Sequence, residues 1–152
     1  MSASEQAVEE QVVVLELAGE AYGVAIERVQ EIIRMQPITR VPNGPPGVEG
    51  VTNLRGRVIP VLDVRQRFGL PRTAPTRQSR IVVAELGEQA VGLVVDSVSE
   101  VLRVPAAAVE PPAALVLSAD SPYVRGVAKL DERLVLLLDL EHLLSGHAAL
   151  AA

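Results

Sequence analysis

The chain has 152 residues and a net charge of −5; 49% of its residues are hydrophobic, but only two Tyr and one Phe are aromatic. This length suggests one domain or two very small ones. The acidic balance and the scarcity of aromatic rings argue against a nucleic-acid binder, which needs a cationic face and stacking platforms. Because the chain has no cysteine, disulfide scaffolds, thiolate nucleophiles and cysteine-based zinc sites are excluded.

The N-terminal segment is acidic and polar from Ser2 to Glu10, unlike a signal peptide, and we expect residues 1 to about 10 to be a disordered or frayed lead-in. No uncharged apolar run approaches the roughly 20 residues of a membrane span. The absence of cysteine fits a reducing compartment. We therefore expect a cytoplasmic protein.

The first elements are short and rich in β-branched residues. Val12–Leu17 and Tyr22–Ile26 predict two strands of a hairpin. Glu27–Ile33 predicts a helical turn that leads into a strand through Met35. The prolines and glycines between residues 37 and 47 predict a long loop.

A second hairpin, from Gly50 to Val64, organises the chain. Two β-rich arms flank an Arg55-Gly56 corner, where glycine suits a positive φ. No nucleophile or general base accompanies the corner, so it predicts a presented surface rather than an active site. The candidate tip residues are Asn53, Arg55, Gly56 and Arg57, and the apolar residues predicted to form a buried strand are Val58, Ile59, Val61, Leu62 and Val64.

The pattern then restarts after a short helix closed by Gly69. When Val13 is aligned with Val82, Val29 matches Val98 and Glu31 matches Glu100. The second hairpin recurs at a longer offset, with Arg133 matching Arg57 and Asp139 matching Asp63; both aspartates are predicted to cap helices. At the corner, Arg55-Gly56 becomes Asp131-Glu132. The sequence therefore predicts that the arginine corner is confined to the first copy.

Together these patterns predict a mainly β fold of two small five-stranded β-barrels from an internal duplication, with short helices. The predicted parts of this single domain, residues 1–152, are barrel 1 at about 11–70, a linker at about 71–79, barrel 2 at about 80–139 and a C-terminal helix at about 139–150.

These features resemble the CheW family of chemotaxis coupling proteins over roughly residues 11 to 144. The resemblance implies SH3-like barrels and a non-catalytic scaffold that couples chemoreceptors to a CheA-type histidine kinase. Its partners would be the receptor's cytoplasmic hairpin tip, docked between the barrels, and the kinase's regulatory domain. The motifs that carry the resemblance are Tyr22-Gly23, Val29–Ile32, Gly50–Gly56, Pro60–Arg65, Val91–Asp96, Val98–Leu102 and Gly126. The receptor-binding residues that it implies are Val29, Glu31, Gly50, Arg55, Gly92 and Val98.

Other functions fit less well. An enzyme would need a nucleophile, base or phosphate loop, but both histidines, His142 and His147, lie in the tail without a ligand cluster. We expect no catalytic residue, cofactor or metal. A coupler of a related chemosensory pathway, controlling pili, surface behaviour or development, remains an alternative. Two assignments also stay open: Val29 and Val98 could belong to the core or to an interface, and Gly23 and Gly92 could serve backbone geometry or contact a partner.

Overall fold

A computed structural model describes residues 9–42, 48–111 and 123–145. The predicted lead-in up to residue 8, the centre of the first proline-rich loop, residues 112–122 and the C-terminal helix beyond Ser145 lie outside the described residues. Within these ranges no helix is long and apolar enough to cross a membrane.

The described chain forms eleven strands and two short α-helices. Short 3₁₀ turns at Ile26–Arg28 and Ala106–Ala108 precede β3 and β9, and residues 70–79 carry neither helix nor strand. The elements are β1 Glu9–Leu17, β2 Glu20–Ala25, β3 Val29–Arg34, β4 Val48–Leu54, β5 Arg57–Asp63, α1 Val64–Arg67, β6 Arg80–Leu86, β7 Gln89–Val95, β8 Ser97–Pro105, β9 Val109–Glu110, β10 Val124–Leu130, β11 Arg133–Leu138 and α2 Leu140–Ser145.

The strands are exchanged between the two copies of the duplication. The six-stranded sheet has the order β8-β1-β2-β11-β10-β9, and the five-stranded sheet has the order β3-β6-β7-β5-β4. Each sheet therefore combines the first hairpin of one copy with the last strands of the other. The predicted division into barrels at 11–70 and 80–139 is wrong for this reason. Because the copies share one hydrophobic pattern, each hairpin fits the strands of either copy.

A central cluster of buried side chains joins the two sheets. It includes Leu15 and Leu17 from β1, Leu93 from β7, Phe68 after α1 and Leu143 from α2. The ring of Phe68 lies 5.4 Å from that of Tyr22 and 5.6 Å from that of Tyr123, so all three aromatic residues of the chain gather here. Burial of aromatic rings removes much apolar surface from water, and this cluster holds the sheets together.

Both short helices begin at an aspartate N-cap, as predicted. The Asp63 carboxylate accepts a hydrogen bond from the backbone N–H of Arg65 at 3.0 Å, and that of Asp139 accepts one from His142 at 3.0 Å. These bonds satisfy backbone donors that the first helical turn leaves unpaired. Burial raises the pKa of Asp63.

A charged contact joins the sheets at the point where the chain passes from β7 to β8. The Arg65 guanidinium donates from Nε to Asp96 Oδ1 at 2.9 Å and from Nη2 to Oδ2 at 2.6 Å. Asp96 Oδ2 also accepts from the backbone N–H of Ala18, in the β1–β2 turn, at 2.8 Å. The hydrogen bonds from Arg65 hold the pKa of Asp96 below its usual value. One carboxylate thus ties α1, the β7–β8 junction and the β1–β2 turn together.

Candidate partner-binding surface

The β4–β5 hairpin presents a tight two-residue corner. Arg55 and Gly56 both have positive φ, 50° and 85°, which matches the turn type that suits the twist of a two-residue hairpin. The side-chain oxygen of Asn53 accepts a hydrogen bond from the backbone N–H of Gly56 at 2.8 Å. The corner is therefore held by its own hydrogen bond. Next to it, Val58 is 67% exposed, so its predicted burial is wrong: it alternates with buried Ile59 and points outward.

Arg55 makes a two-pronged ion pair with Glu31 on β3. Nη1 donates to Glu31 Oε1 at 3.0 Å, and Nη2 contacts Oε2. This bond lowers the pKa of Glu31 and raises that of Arg55. Two parallel bonds fix the direction of a guanidinium as well as its position. The Arg55 side chain nevertheless stays 69% exposed, so the pair holds an oriented cation at the surface.

A comparable ion pair occurs in the other sheet, which the sequence did not predict. Arg133 donates from Nη1 to Glu100 Oε2 at 2.6 Å. The corner residues Asp131 and Glu132 supply no cation, but the flanking arginine does. In each copy, an ion pair thus joins a glutamate on the third strand to an arginine of the last hairpin. The arginine lies in the corner in the first copy and just after it in the second. The sequence does carry an indication of the second ion pair, because Glu100 matches Glu31 and Arg133 matches Arg57 under the duplication.

Arg57 differs from its counterpart Arg133. Among the described residues it makes no ion pair, whereas Arg133 is paired with Glu100. Arg57 lines a shallow cleft with Val58 and the β6–β7 turn. The two predicted tip arginines therefore differ: Arg55 is held in an ion pair with Glu31, and Arg57 makes no ion pair with the described residues.

Val29 and Val98 lie at equivalent places and are both half-buried. Each packs against the central cluster, and their strand partners, Ala84 and Leu15, belong to that cluster. The two valines thus approach one shared region from opposite sheets. Glu31 pairs instead with Val83, which belongs to the cluster inside the five-stranded sheet. A β-bulge between Val29 and Glu31 separates these neighbours onto different faces.

Gly50 and Gly92 are buried backbone positions. A Cβ on Gly50 would overlap the carbonyl of Thr39, 2.8 Å from its carbon, and a Cβ on Gly92 would lie 2.9 Å from Ile81 Cγ2. Thr39 and Val51 exchange two backbone hydrogen bonds of 2.8 Å beside Gly50. Neither glycine offers a side chain to a partner, so each acts by allowing a close approach within the fold.

The described residues contain no group of three or more His, Asp or Glu side chains arranged to hold a metal ion. The fold and the surface define a scaffold class: two joined β-barrels, an exposed cation held at a hairpin tip, and an apolar cluster between the sheets.

A family model of the CheW-like domain matches residues 11–148, and the chain belongs to this family. Chemotaxis protein CheW from Klebsiella aerogenes is 35% identical over 140 residues, covering 92% of this chain and 84% of that protein. Chemotaxis protein CheW from Bacillus subtilis is 30% identical, covering 94% and 92%. Members of this family are non-catalytic scaffolds, so the chain is a chemotaxis scaffold or adaptor and not an enzyme.

The crystal structure of the scaffolding protein TtCheW from Thermoanaerobacter tengcongensis superposes with a TM-score of 0.81. It is 37% identical, and the match covers 88% of this chain and 91% of that one. The predicted mainly β fold of two SH3-like barrels is confirmed by this likeness together with the two sheets.

Proposed function

We propose that the protein couples transmembrane chemoreceptors to a CheA-type histidine kinase. It would act in the cytoplasm and be recruited to receptor arrays at the membrane. The observation that carries the proposal is the Glu31–Arg55 pair, which holds an exposed cation in a fixed direction at the hairpin tip. The same partner classes would serve in a related chemosensory pathway.

The receptor's helical hairpin tip would dock on the junction between the sheets. Helix-in-groove recognition uses apolar anchors with a few oriented polar groups. Val29 and Val98 supply two half-buried apolar contacts from opposite sheets, and Arg55 supplies the oriented charge. Gly50 and Gly92 would support this surface indirectly, by holding the strands beneath it.

The kinase's regulatory domain would contact the outer surfaces of the barrels. Four of the exposed large hydrophobic side chains in the described chain form two pairs that match under the duplication. Ile32 matches Val101, at 39% and 50% exposure, and Val58 matches Leu134, at 67% and 53%. Exposed apolar residues repeated on both barrels favour packing against another barrel.

Replacing Arg55 with alanine should weaken binding of a receptor cytoplasmic fragment by about tenfold, or ~1.4 kcal/mol. The reason is the loss of the only tip cation held in a fixed direction among the described residues. The measurement is calorimetric titration of the fragment, with circular dichroism to show that the fold is kept.

Arg57→Ala is the matched control, because it removes an arginine from the same tip that makes no described ion pair, and it should change the affinity by less than about twofold. Equal losses of affinity in both variants would show that the effect depends on net charge and not on the orientation of Arg55. Unchanged affinity for Arg55→Ala would remove Arg55 from the receptor site, and global unfolding would make it a structural residue.

A further inference from the structure

A cleft rich in arginine lies on the five-stranded sheet, apart from the hairpin tip. It forms where the end of β3, the linker and the start of β6 meet, and its volume is about 450 Å³. Volumes of this size are common for small-molecule sites. We call it the arginine cleft; its lining residues are Arg34, Met35, Thr76, Arg77, Ser79 and Arg80.

Two of its arginines face each other directly. Arg34 on β3 and Arg80 on β6 are partners in the antiparallel ladder. Like charges opposite each other on neighbouring strands destabilise a sheet. Among the described residues, no carboxylate forms an ion pair with Arg34, Arg77 or Arg80. The cleft therefore holds three positive charges without a described counter-charge, in a chain whose net charge is −5.

The linker fixes one of these guanidinium groups in place. Nη1 of Arg80 donates to the carbonyl oxygens of Arg77 and Ser79, each at 2.8 Å. No described acceptor takes the hydrogens on its Nε or Nη2. A guanidinium anchored at one nitrogen keeps its remaining donors oriented, which suits a ligand that accepts several hydrogen bonds.

Ser79 adds a buried donor to the same cleft. Its side chain lines the cleft although the residue is only 6% exposed. Ser79 Oγ accepts a hydrogen bond from the backbone N–H of Thr76 at 2.8 Å. The hydroxyl hydrogen has no acceptor among the described residues. A buried hydroxyl normally donates as well as accepts, so this hydrogen is available to an acceptor oxygen in the cleft.

We propose that the arginine cleft binds a phosphate-bearing anion. A phosphoryl group carries several acceptor oxygens and up to two negative charges, which match the forked donors of arginine and one hydroxyl donor. Bound phosphate would also remove the repulsion between Arg34 and Arg80. The same chemistry could be supplied by a small phosphate compound or by a phospholipid headgroup. The lining of the cleft contains none of the residues assigned above to the receptor or kinase surface, although Arg34 lies two residues from Ile32 on β3. Binding of phosphate here does not require either partner.

The duplication supplies an internal comparison. In the six-stranded sheet, the register that corresponds to Arg80 and Arg34 holds Gln11 opposite Arg103. That position pairs one cation with an amide, and so lacks the opposed charges. Arg80→Gln therefore gives the cleft the polarity of its counterpart, and Arg103→Gln removes one arginine from the equivalent place outside the cleft.

The test is calorimetric titration with inorganic pyrophosphate at constant ionic strength, together with flotation on phosphatidylglycerol vesicles against phosphatidylcholine vesicles. We expect saturable binding in at least one arm. Arg80→Gln should weaken it about tenfold or more, because charged hydrogen bonds are lost, whereas Arg103→Gln should leave it within about twofold.

The measurement in which Arg80→Gln weakens binding, either the pyrophosphate titration or the vesicle flotation, identifies the source of the phosphate. Ser79→Ala, which removes one hydroxyl and little volume, should weaken binding in the same arm. Thermal unfolding of each variant separates loss of binding from loss of fold. The proposal is overturned if neither arm shows saturable binding, or if Arg80→Gln and Arg103→Gln lose affinity equally.

Discussion

Replacing Gly50 with alanine is expected to lower the free energy of unfolding by about 3 kcal/mol. The added Cβ would overlap the Thr39 carbonyl, which belongs to the backbone and cannot rotate away. Relief requires the segment around Thr39 to separate from β4, and this breaks its two hydrogen bonds with Val51. Urea unfolding measures the loss, and faster hydrogen exchange at Thr39 and Val51 locates it.

Gly126→Ala is the matched control, at the equivalent position of the second copy. There the added Cβ would meet Val109 Cγ1 at 2.9 Å and a backbone oxygen only at 3.4 Å. A side-chain methyl can shift, so the expected cost is about 1 kcal/mol. If Gly50→Ala and Gly126→Ala had the same free energy of unfolding, the close approach of Gly50 to the Thr39 carbonyl would not be what makes Gly50 necessary. Because Gly50 lies on β4, which leads into the corner at Arg55, we expect Gly50→Ala also to weaken receptor binding through a displaced tip.

Replacing Asp96 with alanine is expected to cost about 1.5–3 kcal/mol at neutral pH. The Arg65 side chain is only 14% exposed, and it would lose both hydrogen bonds to Asp96 while the Ala18 N–H loses its acceptor. Because these groups join the two sheets, thermal unfolding of the whole domain should report the loss.

Glu141→Ala tests the corresponding exposed pair. Glu141 aligns with Arg65, and it pairs with Arg28 at the β2–β3 junction; the two side chains are 68% and 36% exposed. Exposed ion pairs contribute little, so the expected change is below about 1 kcal/mol. If Glu141→Ala costs as much as Asp96→Ala, burial of Arg65 is not what makes the Asp96 contact important.

The Asp96 contribution should also depend on pH. Its pKa is lowered in the folded protein from an ordinary value of 3.8, so folding favours the ionised carboxylate. The stabilisation is fully present above the ordinary pKa and is lost as the pH falls through the lower folded-state pKa. The stability gap between the wild-type protein and Asp96→Ala should therefore stay constant at neutral pH and narrow in strong acid.

Local structure could be predicted well from the sequence. The strand pattern, the Asp63 and Asp139 caps and the two-residue corner all depend on neighbouring residues, which the sequence displays directly. Val58 was misjudged because two apolar residues in a row conceal the alternation of a strand. A residue near the start of a strand that follows a corner can point outward even when it is hydrophobic.

Strand exchange could not be predicted in the same way. Two copies with one hydrophobic pattern offer equivalent strand edges for pairing. The choice of partner strand is set by packing in the central cluster, whose residues are far apart in the sequence. The Glu100–Arg133 pair was missed for a similar reason. The corner itself contains Asp131 and Glu132, which are acidic. The positive charge of the ion pair comes from Arg133, the next residue along the strand.

Coupling can be measured by co-sedimentation of a CheA-type kinase with a receptor cytoplasmic fragment, in the presence and absence of this protein. We expect the protein to sediment with the receptor fragment, and the kinase to join the pellet in a larger amount when the protein is present. Arg55→Ala should reduce both. Failure of the wild-type protein to join either partner would contradict the coupling function.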